Sequence, residues 1–311
     1  MKHVFQTLWI GGPLTPYEVT CFKSFLDAGH AVHLYTYASS LEVPEGVGVK
    51  DAQDVLRQDE YFTYKKGAGA GSHSAFSNLF RYKLLYERGG WWIDTDVICL
   101  SPEIPECEEF FAFESPEIVN GAVLRFESND PIMDYCLQEA SRIRDAASWG
   151  EIGPRLITRA LRETGRIEAA MPEQLCYPIH HREALDLLKP SLTDQLTHQI
   201  QGSLFLHLWN EVFRRGGVAK TMLPPEGSLL RTLADRHGGD GWGGEYDTNG
   251  LEKLLSLKAD LDQAHRELKA LRREKNDLKK RLTSLKSQKA TSDSKDREPG
   301  LSLWKKLKSQ L

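Results

Sequence analysis

Gly89-Gly90-Trp91-Trp92-Ile93-Asp94-Thr95-Asp96 is the stretch on which the reading of this 311-residue chain turns. Large apolar residues after two glycines predict a buried strand. The carboxylates that follow are spaced i and i+2, which on extended backbone puts both on one side. Two carboxyl groups at one strand end suit a hard divalent cation, Mg²⁺ or Mn²⁺, whose shell is completed by waters and substrate phosphates. A glycosidase would instead need carboxyls facing each other across the substrate, about 5–9.5 Å apart, so hydrolysis by that route is disfavoured. A strand running into a polar surface turn would also explain Asp-x-Asp taken alone.

Upstream, Ser74 to Arg88 places Phe76, Leu79, Phe80 and Leu84 at helical spacing, and Gly89 with Gly90 is expected to stop that helix. Asn78 and Arg81 are three apart, so they share a helix face and can serve one ligand.

These residues carry a resemblance. Ser77-Asn78-Leu79-Phe80-Arg81-Tyr82, Leu85-Tyr86, Gly89-Gly90-Trp91-Trp92 and Asp94-Thr95-Asp96 resemble the sugar-binding region of the DXD glycosyltransferases. That group includes yeast outer-chain α-mannosyltransferases, α-1,4-galactosyltransferases and bacterial capsule and lipopolysaccharide transferases. Gly153-Pro154, Tyr177-Pro178 and Leu206-His207-Leu208-Trp209-Asn210 resemble further elements of the family, so the likeness covers about residues 4–215. It implies a GT-A fold, a UDP- or GDP-sugar donor, a Mn²⁺ or Mg²⁺ cofactor and retaining stereochemistry. It also implies residue roles. Asp94, Asp96 and His207 would hold the metal, Arg81 would pair with phosphate or donor sugar, and Asn78 would bind sugar hydroxyls. Trp9 and Ile10 would lie against the nucleotide, and Trp209 would wall the donor site. The family often has Asp where this chain has Asn78, an amide that keeps hydrogen bonds and loses charge.

The amino terminus fits an α/β domain. Val4 to Ile10 reads as a strand, Thr15-Pro16-Tyr17-Glu18 as a capping box with Pro at the first helical position, and His30 to Tyr37 as the next strand. Alternation of this kind implies a Rossmann-like parallel sheet with ligands at the carboxyl ends of its strands. Gly67-Ala68-Gly69-Ala70-Gly71-Ser72 lacks the Gly-Lys-Ser/Thr ending of a P-loop and reads as a glycine-hinged lid.

Charge divides the chain. Residues 1–250 hold 23 Lys plus Arg against 35 Asp plus Glu, net −12, and residues 251–311 hold 17 against 9, net +8. The acidic part disfavours nucleic acid as a partner. In the basic part, Leu254, Leu261, Leu268, Lys275 and Leu282 alternate with Leu257, Ala264, Leu271, Leu278 and Leu285 in a heptad seam. The organisation read here is a GT-A domain over 1–245, a coiled-coil oligomerisation helix over 250–288 beyond a Gly238 to Gly244 linker, and a flexible tether over 289–300. A basic amphipathic helix over 301–311 would touch anionic lipid.

No run of about 20 apolar residues is present, and Met1-Lys2-His3 leads straight into a strand. Five cysteines without Cys-x-x-Cys spacing suit a reducing compartment. The expectation is therefore a cytoplasmic α-glycosyltransferase, peripheral on the inner face of a bacterial inner membrane. Its acceptor would be a saccharide or lipid-linked sugar in lipopolysaccharide or capsule synthesis. The rivals are a coiled-coil interaction protein with a degenerate transferase domain and a toxin-like protein glycosyltransferase.

Overall fold

The computed structural model describes residues 3–65, 70–238 and 241–295. The chain divides into two compact units, Met1–Gly250 and Leu251–Leu311. The first unit opens with β1 (Val4–Trp9), α1 (Pro16–Asp27), β2 (Ala31–Thr36), β3 (Val47–Asp51), α2 (Ser74–Arg88) and β4 (Gly90–Ile93). It continues through β5 (Val97–Cys99), β6 (Phe110–Ser115), β7 (Ile118–Phe126), α3 (Pro131–Ile143), α4 (Pro154–Glu163), α5 (Thr193–Gln199) and β8 (Phe205–His207). It ends with α6 (Asn210–Gly216), β9 (Met222–Leu223), α7 (Leu229–His237) and β10 (Gly244–Glu245), before α8 (Thr248–Lys295).

Six strands form the main sheet in the order β3-β2-β1-β4-β7-β6. The first four run parallel and β7 lies antiparallel to both neighbours. This is the α/β architecture expected, with a parallel sheet made mixed at one edge. The central strand shows why both faces must be covered. Successive side chains on β4 point to opposite faces, and Trp92 joins Phe80, Leu84 and Leu156 on one side. Trp91 and Ile93 join Phe5, Phe25 and Phe205 on the other. Each buried aromatic contributes about 1.5–3 kcal/mol of transfer free energy, so a strand of this composition is stable only between two layers.

The α1 capping box forms as read. The Glu18 carboxylate accepts from the Thr15 backbone N–H at 3.0 Å and from the Thr15 hydroxyl. Gly89 alone caps α2, at φ +65°, while Gly90 starts β4. A Cβ on Gly89 would lie 2.6 Å from the Ser128 nitrogen, so no other residue fits.

Several expectations change. Asp94-Thr95-Asp96 is not on extended backbone: it makes the turn between β4 and β5, with Val97 N–H donating to Asp94 C=O at 3.3 Å. The glycine-rich stretch after Gly238 is no free linker where it is described. Gly244 and Glu245 pair with Met222 and Leu223, and the Tyr246 N–H donates to Leu223 C=O at 3.0 Å. Helix α8 runs on to Lys295, into the segment 289–300 expected as a tether, because no proline interrupts it before Pro299. Gly67, Ala68 and Gly69 of the expected lid and the helix expected over 301–311 lie outside the described residues. Ala70 bridges to Tyr64, and Gly71 N–H donates to Tyr64 C=O at 3.0 Å. Among the described residues no helix is long and apolar enough to cross a membrane. The five cysteines are free thiols.

Candidate active site

The site forms where β4 hands over to β5. A short antiparallel pair sets it, β5 against β8, with Val97 opposite His207. The residue before Val97 is thereby delivered to the imidazole: Asp96 Oδ1 lies 3.2 Å from His207 Nε2. Asp96 Oδ2 accepts the Asn210 backbone N–H at 2.7 Å, and its C=O accepts the Leu208 N–H at 2.8 Å. Burial pushes the Asp96 carboxyl up. The charge and hydrogen bond of His207, the Asn210 amide and Lys220 outweigh burial and hold it well below the usual carboxylate range. Burial pulls His207 down, but Asp96, followed by Asp94 and Glu114, more than offsets it, and the imidazole is raised.

Asp94 is positioned from the other side. Its backbone N–H donates to Ala122 C=O at 2.8 Å, and its Oδ1 accepts from Arg81 Nη2 at 2.5 Å and from Trp92 Nε1 at 2.9 Å. Arg81 is 4% exposed, and its guanidinium carbon stands 5.0 Å from the centre of the Trp92 ring. One arm of the guanidinium is thus engaged with the carboxylate and the group is stacked, with Nε buried and without a hydrogen-bond partner. Two glycines make room. A Cβ on Gly121 would lie well inside contact with Arg81 Nη1, and one on Gly153 would lie 2.9 Å from Asn78 Nδ2. Asn78 and Arg81 do share the buried face of α2, Arg81 at Asp94 and Asn78 against Gly153, and the Gly-Pro element at 153–154 is explained by what packs on it.

Asp94, Asp96 and His207 each offer a ligand atom within 4.8 Å of the others. Two carboxylate oxygens and one imidazole nitrogen suit Mn²⁺ or Mg²⁺, with the remaining positions left for water and phosphate. His207 Nδ1 is buried and has no hydrogen-bond partner, so the protein alone does not satisfy the ring. The residues fit the metal.

Trp209, the residue before α6, holds φ +59°, a left-handed conformation that costs an aromatic residue on the order of 1–3 kcal/mol. It is fixed by a 2.8 Å hydrogen bond from Nε1 to Ile179 C=O and packs 4.1 Å from the His207 ring, with Tyr177 at 5.9 Å. It therefore supports the His207 ring. At the carboxyl ends of β1 and β2, where Trp9 pairs with Thr36, a cleft of about 430 Å³ is lined by Trp9, Ile10, Tyr37, Tyr61 and His73 among others. An aromatic-walled cleft of that size accepts a planar heterocycle.

Sequence reading missed Lys220, Glu114, Asn120 and Gly121 here, and gave Glu18 only a capping role. Lys220 stands with Nζ 5.8 Å over the Trp9 ring, paired with the fully buried Glu18, and helps depress Asp96. Glu18 also accepts from Asn210 Nδ2 at 3.2 Å, so the capping carboxylate of α1 ties down α6. Glu114 accepts from Asn120 Nδ2 at 2.5 Å, and burial pushes its carboxyl up. Asn120 Oδ1 in turn accepts the Ala122 N–H at 2.7 Å. Gly121 completes the set.

Two family models match the chain. The glycosyltransferase sugar-binding region containing the DXD motif covers residues 29–110, and the alpha 1,4-glycosyltransferase conserved region covers 125–238. Human alpha-1,4-N-acetylglucosaminyltransferase is 27% identical over 174 residues, 52% of this chain and 49% of that protein. Mouse lactosylceramide 4-alpha-galactosyltransferase is 26% identical over 146 residues, 43% of this chain and 40% of that one. The chain thus spans less than half the length of these curated relatives. Among solved structures, PaToxG glycosyltransferase is similar at TM-score 0.40 and 14% identity, covering 52% of this chain and 69% of its own. The apo form of GlyE from Streptococcus pneumoniae TIGR4 is similar at TM-score 0.40 and 12% identity, covering 84% and 64%.

Proposed function

We propose that this chain, whose residues 29–110 match the DXD-containing glycosyltransferase sugar-binding region and whose residues 125–238 match the alpha 1,4-glycosyltransferase conserved region, transfers a sugar from a UDP- or GDP-sugar to a saccharide or lipid-linked acceptor. The observation that carries the reading is the convergence of Asp94, Asp96 and His207 within 4.8 Å beside an aromatic cleft at the carboxyl ends of parallel strands.

Asp94, Asp96 and His207 would hold Mn²⁺ or Mg²⁺, which when bound offsets negative charge on the departing nucleoside diphosphate. The chain's own groups do the rest. Trp9 and Ile10 flank the base in the cleft, and Lys220, above Trp9 and electrostatically coupled to Asp96, presents a cation to phosphate oxygens. Arg81 locks Asp94 in place, and Asn78 offers amide hydrogen bonds on the same helix face. Glu114 is a further carboxylate close enough to raise His207.

Retention of α configuration is supported by the α-linkages in both relatives' names. A glycolipid acceptor is supported by the lactosylceramide in one of them. Contact with an anionic membrane surface is supported by the net +8 of residues 251–311, and a role in bacterial lipopolysaccharide or capsule synthesis at the cytoplasmic face of the inner membrane is the setting we propose for it. Screening the purified chain with Mn²⁺ against UDP- and GDP-sugars for thermal stabilisation tests the reading. One donor at 100 times its Kd should add about 2.7 kcal/mol. A folded sample unmoved by every donor would overturn it.

A further inference from the structure

Helix α8 carries an apolar stripe in solvent. Leu261, Leu268, Leu271, Leu278, Leu282 and Leu285 are each 45–62% exposed, and all lie on the a and d positions of the heptad seam. Leucines at that spacing are buried only when another helix lies along them. Charge on the flanking positions says which helix that is, and in which direction it runs.

The e positions, Lys258, His265, Arg272, Lys279 and Lys286, are all basic or imidazole. The g positions are acidic through the middle, Asp260, Glu267 and Glu274, with Lys253 and Arg281 at the ends. We propose that α8 pairs with α8 of a second copy of this chain as a parallel, in-register, two-stranded coiled coil. In that arrangement each g residue faces the e residue five places later on the other copy. Asp260 then meets His265, Glu267 meets Arg272 and Glu274 meets Lys279, on both sides of the seam. Only the outer pairs, Lys253 with Lys258 and Arg281 with Lys286, are alike in charge. Antiparallel pairing sets the e rail of one copy against the e rail of the other, basic against basic in every register.

Lys275, at an a position, fixes the alignment. In register, the two Lys275 share a single layer. A shift of one heptad would set each against a leucine and create two defective layers. Two strands also let the lysine stems pack on the seam while the ammonium groups reach water, which a three-stranded core closes off.

The full chain tests this by light scattering and cross-linking. The wild type should give twice the 35.2 kDa of one chain, and the pair Leu271→Glu with Leu278→Glu should halve that mass while the first unit keeps its near-ultraviolet circular dichroism. Under mild oxidation Leu282→Cys should form a disulfide-linked dimer, with the wild type, oxidised alongside, staying unlinked. Antiparallel pairing would set position 282 against 257, about 37 Å of helix away from its own counterpart, so Leu282→Cys would not link. In that case a mixture of Leu257→Cys and Leu282→Cys chains would link instead. A monomer, a trimer, or cross-linking only in the mixture would overturn the proposal.

Discussion

Arg81 acts through Asp94: buried, stacked on Trp92 and bonded to one carboxylate oxygen, it sets where that carboxylate points. Its freedom depends on the bare backbone at Gly121, so Gly121→Ala should push the guanidinium off Asp94. We expect Mn²⁺ affinity to fall at least about tenfold, a loss of roughly 1.4 kcal/mol, in a protein that still folds. Calorimetric titration of Mn²⁺ reads this directly, and wild-type affinity in the variant would show that Arg81 does not hold the carboxylate. Asn120→Ala should strand the buried Ala122 N–H, at a cost of about 1–3 kcal/mol. Ala122 C=O holds the Asp94 amide, so metal binding should weaken as well. Urea unfolding and Mn²⁺ titration of the same variant check both halves. At this scale Asp94, Asp96, His207, Trp9 and Ile10 were legible because motif and resemblance fall on them. Glu114, Asn120 and Gly121 were not, since they sit in a hairpin between the two family matches, 29–110 and 125–238, with no spacing of their own. Lys220 comes from a loop, and only the fold brings it over Trp9.

Among the elements, Gly89 decides whether α2 and β4 meet at the right angle. Replacing it by Ala would force a left-handed φ on a residue with a Cβ and drive that atom into the Ser128 backbone. Gly89→Ala should destabilise by about 1–3 kcal/mol, visible as a lowered urea midpoint with an unchanged m-value. An equal midpoint would mean that the 126–128 segment moves away at no cost. Helix α2 and strand β4 were readable because fifteen residues of apolar periodicity and a tryptophan pair leave little choice. The three-residue β5 and β8 were not, because a strand that short has no periodicity to read, and its pairing to a partner over a hundred residues away is decided by packing alone. The turn at Asp94-Thr95-Asp96 follows from the same pairing. It parts the two carboxylates so that one answers to Arg81 and the other to His207, which an extended strand would not do.

On the scale of the molecule, the parallel strands place the aromatic cleft and the carboxylates at their carboxyl ends, as the strand and helix alternation predicts. On the proposed function, a donor spanning the two would set its base at Trp9 and its diphosphate beside Asp94, Asp96 and His207, with Lys220 between. The direct measurement is release of nucleoside diphosphate from the donor that best stabilises the chain, followed with Mn²⁺ and again after chelation, for the wild type and for Asp94→Ala combined with Asp96→Ala. The account predicts slow, Mn²⁺-dependent release by the wild type that chelation stops, and a loss of at least about a hundredfold, near 2.7 kcal/mol, in the double variant. Release that survives both chelation and the loss of both carboxylates would contradict it.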